Sequence, residues 1–233
     1  MTLRRVALSL VPVLVIAAIA SGRAAAGPAP AASPGDAPPA SLMTGDAAHG
    51  AAVDPVFAHF KLERLSCKFS EEKHIALLAR PLRSTGTIHF ERERGIARAT
   101  ITPRPQQVVL TRTSLRIRKD GRTEDIPLDK SKDLKAFALV FPTLLRGERS
   151  ELERSFEIGL YGSEGAWWAL AFTPKTDSLR ALVRRVVVFG RKAEIVSLQV
   201  AEASGDTTDT RLTEIKKNGD VSDAEIAAAF GAP

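Results

Sequence analysis

Alternation of apolar and polar positions dominates the chain from Cys67 to Lys119 and predicts four or five antiparallel strands in succession. Over residues 84–92, Ser84, Gly86, Ile88, Phe90 and Arg92 share one face, and Thr85, Thr87, His89 and Glu91 share the other. An arginine thus ends an otherwise apolar face. Residues 106–112 and 114–119 alternate in the same way, with Val108, Leu110, Leu115 and Ile117 on one side. Upstream, Phe69, Ile75 and Leu77 share a phase until Arg80-Pro81 interrupts the first strand and Leu82 opens its partner. Thr102-Pro103-Arg104-Pro105 and Lys119-Asp120-Gly121-Arg122 supply turns. The pattern is that of a sheet with one greasy face.

Helical spacing appears in three places. Asp54-Pro55 reads as an N-cap followed by proline, with Val56, Phe57 and Phe60 behind it, and predicts an amphipathic helix over residues 54–66. Ser131 can cap a helix over 131–146 whose stripe is Leu134, Phe137, Ala138, Phe141 and Leu145, kinked or ended at Pro142. Ser222 and Glu225 form a capping box that opens a short helix bearing Ile226 and Phe230. Between these, Leu152, Phe156, Ile158 and Leu160 share a strand face. So do Ala166, Trp168, Leu170 and Phe172 after the turn Gly162 to Gly165, until Thr173-Pro174 ends the strand. Residues 181–189, 194–202 and 207–216 give three more strands. The expected fold is mainly β: a curved antiparallel sheet of about ten or eleven strands, an incomplete half-open barrel. The N-terminal helix, an inserted lid helix and the short C-terminal helix cover it.

The first 26 residues stand apart. Arg4 and Arg5 precede the apolar run Val6 to Ala20, and Ala24-Ala25-Ala26 follows, the pattern of a secretory signal peptide. The run is short of the roughly 20 residues a spanning helix needs. Residues 27–52, rich in Ala, Pro and Gly, read as a disordered leader, and residues 53–233 as one domain. Losing the signal removes Arg4, Arg5 and Arg23 and no acid, so the formal charge of +6 falls to +3 and nucleic-acid binding loses its electrostatic support. A membrane surface or an acidic partner stays open. Cys67 is the single cysteine, so there is no disulfide framework, and no cysteine lies at the signal's end to carry a lipid anchor. It reads as a small buried hydrophobe.

Taken in order, these segments resemble the LolA family of periplasmic carriers, which shuttle lipoproteins from the inner to the outer membrane of Gram-negative bacteria. The residues that carry the resemblance are Cys67-Lys68-Phe69-Ser70-Glu71-Glu72 after the N-terminal helix, Ser84 to Arg92, Pro103 to Leu110, and Phe172-Thr173-Pro174-Lys175. Two positions depart from it: the proline after the family's arginine is Glu93 here, and the aromatic a few residues later is Arg98. This is the pattern of a divergent branch. The resemblance implies a hydrophobic cavity for acyl chains on the concave side, and no enzyme and no cofactor. It also implies partners comprising an acylated lipoprotein or lipid cargo, an inner-membrane transporter and an outer-membrane acceptor, with the protein a periplasmic monomer. It further implies that Arg92 tethers the lid by hydrogen bonds, against the plainer reading of a strand-end arginine directed to solvent. Phe69, Ile88, Phe90, Leu110, Phe137, Phe141, Phe156, Trp168, Leu170 and Phe172 are core residues by default, and a subset of them is expected to line the cavity.

The residues themselves offer no catalytic pattern. His49, His59, His74 and His89 fall at no metal-ligand spacing, no serine sits in a nucleophile elbow, and glycine-rich phosphate loops are absent. Three functions remain: a lipoprotein or lipid carrier, an accessory for a different acylated cargo, and a cargo-free periplasmic sensor or structural module. The mature chain is expected to begin near Gly27 with no attached lipid. Intact-mass measurement of the exported protein checks both points, and a retained leader or an added acyl mass refutes them.

Overall fold

The computed structural model describes residues 37–162 and 167–231. The expected signal peptide, residues 27–36 of the leader and most of the turn after Gly162 lie outside these. Among the described residues there are eleven strands: β1 (Arg64–His74), β2 (Leu82–Glu91), β3 (Gly95–Thr102), β4 (Gln106–Leu110), β5 (Ser114–Lys119), β6 (Arg122–Pro127), β7 (Phe156–Tyr161), β8 (Trp167–Pro174), β9 (Val183–Arg191), β10 (Glu194–Glu202) and β11 (Thr207–Lys217). They form one antiparallel sheet in the order β6-β5-β4-β3-β2-β1-β11-β10-β9-β8-β7, not closed into a barrel. Two meanders are joined at the centre by β1 and β11, which pair from Leu65 opposite Lys217 to His74 opposite Thr207. The two edges, β6 and β7, are consecutive in sequence. The chain between them must cross the whole width of the sheet.

That crossing is helical and lies over one face. Ser131 caps α2 (Lys132–Ala138), its hydroxyl accepting from the Leu134 amide at 3.2 Å; α3 (Val140–Leu145) and α4 (Arg149–Glu153) follow. The break falls at Leu139 rather than at the expected Pro142. A proline ring clashes with the carbonyl four residues before it, here Ala138, so the helix gives way there and Pro142 sits comfortably in the first turn of α3. Leu152, expected on a strand, belongs to α4, and β7 begins at Phe156. Buried side chains from this insert, Phe137, Val140, Phe141, Leu144 and Leu145, join Leu65, Phe69, Ile88, Phe90, Val108, Leu110, Trp168, Leu170, Phe172 and Val188 in one core.

The N-terminal helix is far shorter than residues 54–66. It is the single turn α1 (Asp54–Phe57), and Lys61, at φ 96°, leaves helical geometry before β1. Val56, Phe57 and Phe60 nevertheless enter the core as their spacing implied. The leader also differs from the disordered expectation at its C-terminal end. Ala48 exchanges two 2.8 Å backbone bonds with Leu160 on edge strand β7, and Leu42 and Met43 pack on Ala169, Ala171 and Val187 on the sheet's outer face. Those apolar outer positions offer it something to bury, and Gly162, lacking a Cβ, leaves the room that Leu42 fills.

One expectation about the cover is corrected. The C-terminal helix α6 (Asp223–Phe230) carries the capping box of Ser222 and Glu225, but it packs with Ala97, Val109 and Val221 on the outer face, opposite the insert. Gln107 and Arg94 donate to the carbonyls of Ala229 and Gly231 at its end. A further short helix, α5 (Asp177–Arg180), precedes β9, capped by Thr176.

At one end the inner face is polar. Glu71 and Arg98 pair at 2.8 Å with side chains 1% and 2% exposed, and the guanidinium lies 4.1 Å from the centre of the Phe69 ring. Glu71 also accepts from Ser84 on β2 and Thr210 on β11, so one carboxylate collects donors from three neighbouring strands. Lys73 and Glu202 pair at 2.8 Å one step further along. Removing one partner of such a pair strands a buried charge, at a cost of about 3–5 kcal/mol, whereas an apolar replacement of both is far better tolerated. In urea unfolding, Arg98→Met is therefore expected to lose about that much stability, and Glu71→Met/Arg98→Met less than the single variant. A double variant weaker than Arg98→Met alone contradicts this account of the pair.

Candidate functional site

The inner face and the insert across it form the candidate site. All ten residues proposed from sequence as core or cavity lining lie here, buried in the same cluster. Phe69, Ile88, Phe90 and Leu110 come from β1, β2 and β4, Phe137 and Phe141 from α2 and α3, and Phe156, Trp168, Leu170 and Phe172 from β7 and β8. Strand alternation delivers the first and last groups, and the capped insert delivers the middle pair. Phe156 meets Phe172 edge-on at 6.4 Å, and Phe60 meets Trp168 at 6.0 Å, with the indole N–H donating to the Lys192 carbonyl at 2.7 Å. Gly190 lies under that indole and has no room for a Cβ.

The insert is moored at the C-terminal end of α3, where a helix leaves carbonyls without internal partners. The amides of Lys61 and Leu62 donate to the Leu145 carbonyl at 3.1 and 2.9 Å. Arg92 directs its two terminal nitrogens at the Arg146 carbonyl, at 3.4 and 3.5 Å, and bonds Glu63 through Nε at 2.8 Å. These carbonyl contacts are long, and a cation at a helix C-terminus is favoured by the helix dipole as well. Gly147 turns the chain at φ +71°, where an added Cβ would meet the Lys61 side chain. Arg146 itself is buried, donating to Thr143 Oγ1 at 3.0 Å and to Glu148 at 2.9 Å, and Arg112 reaches the same carboxylate at 3.3 Å. Burial alone would raise the Glu148 pKa, but the two arginines outweigh it and hold the carboxyl below its ordinary value.

Insert side chains pack directly on the sheet: Phe137, Phe141, Leu144 and Leu145 share one buried cluster with Leu65, Phe90 and Phe172. Away from the insert, an apolar cleft lined by Phe60, Leu62, Leu65, Ile195 and Ile215 amounts to about 10 Å³, no more than one water occupies. A roomier hollow, about 250 Å³, lies on the outer face among Asp46, His49, Glu157 and Thr173, and its polar walls suit no hydrocarbon. Cys67 faces the core between Leu65 and Phe69, where burial pushes its thiol up to about 12.

The buried pairs Glu71–Arg98 and Lys73–Glu202 escaped the sequence reading. Their signal was available, since the phase of Phe69 runs on through Glu71 and Lys73, as that of Ile96 runs on to Arg98. The same phase was carried too far in the other direction. β1 ends at His74, and Leu77 stands in the turn, 94% exposed. The histidines do not converge: His49 bonds the Ile158 carbonyl, His74 is exposed, and His89 lies on the outer face, its pKa lowered by burial. Among the described residues no group of three or more His, Cys, Asp or Glu is placed to hold a metal.

Comparison with known proteins places this arrangement. Solved structures of low similarity include a LolA superfamily protein from Nitrosomonas europaea, at 12% identity over 74% of this chain and 94% of that one, with a TM-score of 0.42. A DUF1329 family protein from Desulfovibrio piger is 12% identical over 77% and 98%, also at 0.42. The MucA/MucB complex of Pseudomonas aeruginosa is matched at 13% over 75% and 58%, at 0.40. No curated protein matches the chain. The neighbours' scores are too low to add weight, and the assignment rests on a family match spanning residues 47–231, the whole sheet with its insert and the C-terminal helix. The chain belongs to the family described as outer membrane lipoprotein carrier protein LolA-like.

Proposed function

We propose that the protein is a non-enzymatic periplasmic carrier that holds the acyl chains of a lipoprotein, or of a related lipid, against the inner face of the sheet and passes them towards the outer membrane. The observation that carries this reading is the edge-to-edge insert: a separate helical cover lies on an apolar sheet face, continuous with the sheet's backbone only at its two ends and otherwise held by side-chain packing and by the contacts of Lys61, Leu62 and Arg92 at the end of α3. With the insert's side chains packed on that face, cargo has to displace the insert and take over its contacts, and Phe69, Ile88, Phe90, Leu110, Phe156, Trp168, Leu170 and Phe172 are the sheet residues that would receive it. Arg92 is the tether that returns the insert to its place. The transporter that loads such a carrier and the acceptor that unloads it are its expected partners.

The same filled core favours a second reading, a cargo-free module in which the insert is permanent. Adding an acylated peptide while following hydrogen exchange separates the two. The carrier reading expects residues 131–146 to exchange faster than the strands and to respond to the ligand, and lipid extracted from native protein to be found by mass spectrometry. Exchange as slow as the sheet's, with no response and no extracted lipid, leaves the cargo-free module.

The tether is tested separately. Each hydrogen bond lost in Arg92→Leu is worth about 0.5–1.5 kcal/mol, too little to unfold the domain. The variant should keep its far-ultraviolet spectrum, expose Cys67 to thiol reagents sooner than wild type, and transfer cargo abnormally. Global unfolding, or unchanged labelling with normal transfer, removes Arg92 from that role.

A further inference from the structure

We propose that the rim of the sheet at the β1–β2, β3–β4 and β5–β6 turns docks on an anionic lipid surface. Among the described residues, Leu77, Leu78 and Ile101 are the large apolar side chains left exposed, at 94%, 50% and 59%. All three belong to this one rim. Antiparallel order puts the end of β1, the start of β2, the end of β3 and the start of β4 together, away from the end where Arg92 meets the insert.

The exposure is built in. The Leu78 amide closes a turn on the Ile75 carbonyl at 2.9 Å, and the Asp206 carboxylate on the neighbouring β10–β11 turn accepts from the Ala76 amide at 3.1 Å. The tip is thereby held with both leucines outward. Ile101 is displayed by a register shift: Gly86 pairs with Thr100 and Thr85 with Thr102, so Ile101 has no partner on β2 and turns away from the sheet.

Charge selects the occupant. With Arg83 neutralised by Glu72, the three turns and the strand ends beside them carry Arg80, Arg104, Lys119 and Arg122 against Asp120 and, from the neighbouring β10–β11 turn, Asp206, which keeps its charge while accepting from the Ala76 amide, so cations still outnumber acids. Apolar side chains that protrude from separate hairpins, interspersed with cations along one edge, suit a flat anionic interface into which leucines dip while arginines meet headgroups. The proposal rests on the rim alone and not on the carrier reading, so a carrier without acyl cargo could still dock, and an acyl-binding protein could fail to.

The test is flotation of the exported protein with phosphatidylcholine vesicles, with and without phosphatidylglycerol, beside variants that share its N-terminus. Wild type is expected to float with phosphatidylglycerol vesicles and to detach as salt rises. Leu77→Ser/Leu78→Ser should lower vesicle affinity about tenfold or more, and Arg80→Glu/Arg104→Glu should abolish the preference for phosphatidylglycerol. All these positions are exposed, so the fold should persist, and an unchanged urea midpoint verifies that it does. Wild type that binds neither vesicle, or variants that float as well as wild type, overturn the proposal. So does a protein partner that needs Leu77 and Leu78 while vesicles are ignored.

Discussion

The structure depends on one topological constraint: the strands at the two edges of the open sheet follow each other in sequence, so the chain must travel across an apolar face to get from β6 to β7. An open sheet cannot bury its own inner face, and a segment forced across that face is the natural thing to bury it with. Coverage and connectivity are thus a single feature. The insert cannot be lost without cutting the chain, yet between its ends it is held mainly by side-chain contact. That combination, a permanent attachment with a replaceable contact surface, is what separates a cover from a core helix.

Magnitudes show which force holds the cover down. Phe137, Phe141, Leu144 and Leu145 are almost completely buried, and at about 1.5–3 kcal/mol for each buried side chain they contribute about 6–12 kcal/mol together. The long contacts from Arg92 to the Arg146 carbonyl are worth at most a small fraction of that. Burial therefore closes the insert, and the Arg92 contacts add little to that closure. Such an insert opens seldom by itself. Only an occupant that offers comparable apolar contact can shift the balance, since a ligand moves a conformational equilibrium by its differential affinity and nothing more.

The strands, the helix caps and the insert were legible because each is written locally: alternation at Ile88 and Phe90, Ser131 three residues before Leu134, Ser222 three before Glu225. What could not be read depends on distant partners. The helix over 54–66 was overextended because Val56, Phe57 and Phe60 have helical spacing, while the carbonyl that draws the Lys61 and Leu62 amides out of it belongs to Leu145, far along the chain. Periodicity placed Ile226 and Phe230 on an apolar stripe but had no means of saying which side of the sheet would receive it; Ala97 and Val109 on the outer face decide that. The ten apolar residues named from the sequence share one core cluster, because a one-faced sheet leaves them nowhere else to go. The charged row was overlooked because Glu71 and Lys73 look like solvent residues until the inward phase of β1 is followed through them.

That row bears on what the face can accept. Arg98 stands where the family's aromatic was expected, and it is not an isolated exchange: it donates to Glu71, whose carboxylate also accepts from the Ser84 and Thr210 hydroxyls, and Phe69 supplies a ring beneath the guanidinium. A hydrocarbon chain cannot replace these contacts, and pushing one against them would strip a buried ion pair of part of its hydrogen bonding for no return. On the carrier reading, acyl cargo is therefore confined to the end of the face nearer Arg92. Along β2 that end runs from Phe90 to Gly86, four residue steps or about 13 Å, before Ser84 and the charged row begin. An apolar floor with a polar stop at one end suits an amphiphile whose hydrocarbon part is short or bent back, or whose polar part reaches the row. A face that was apolar throughout would impose no such limit.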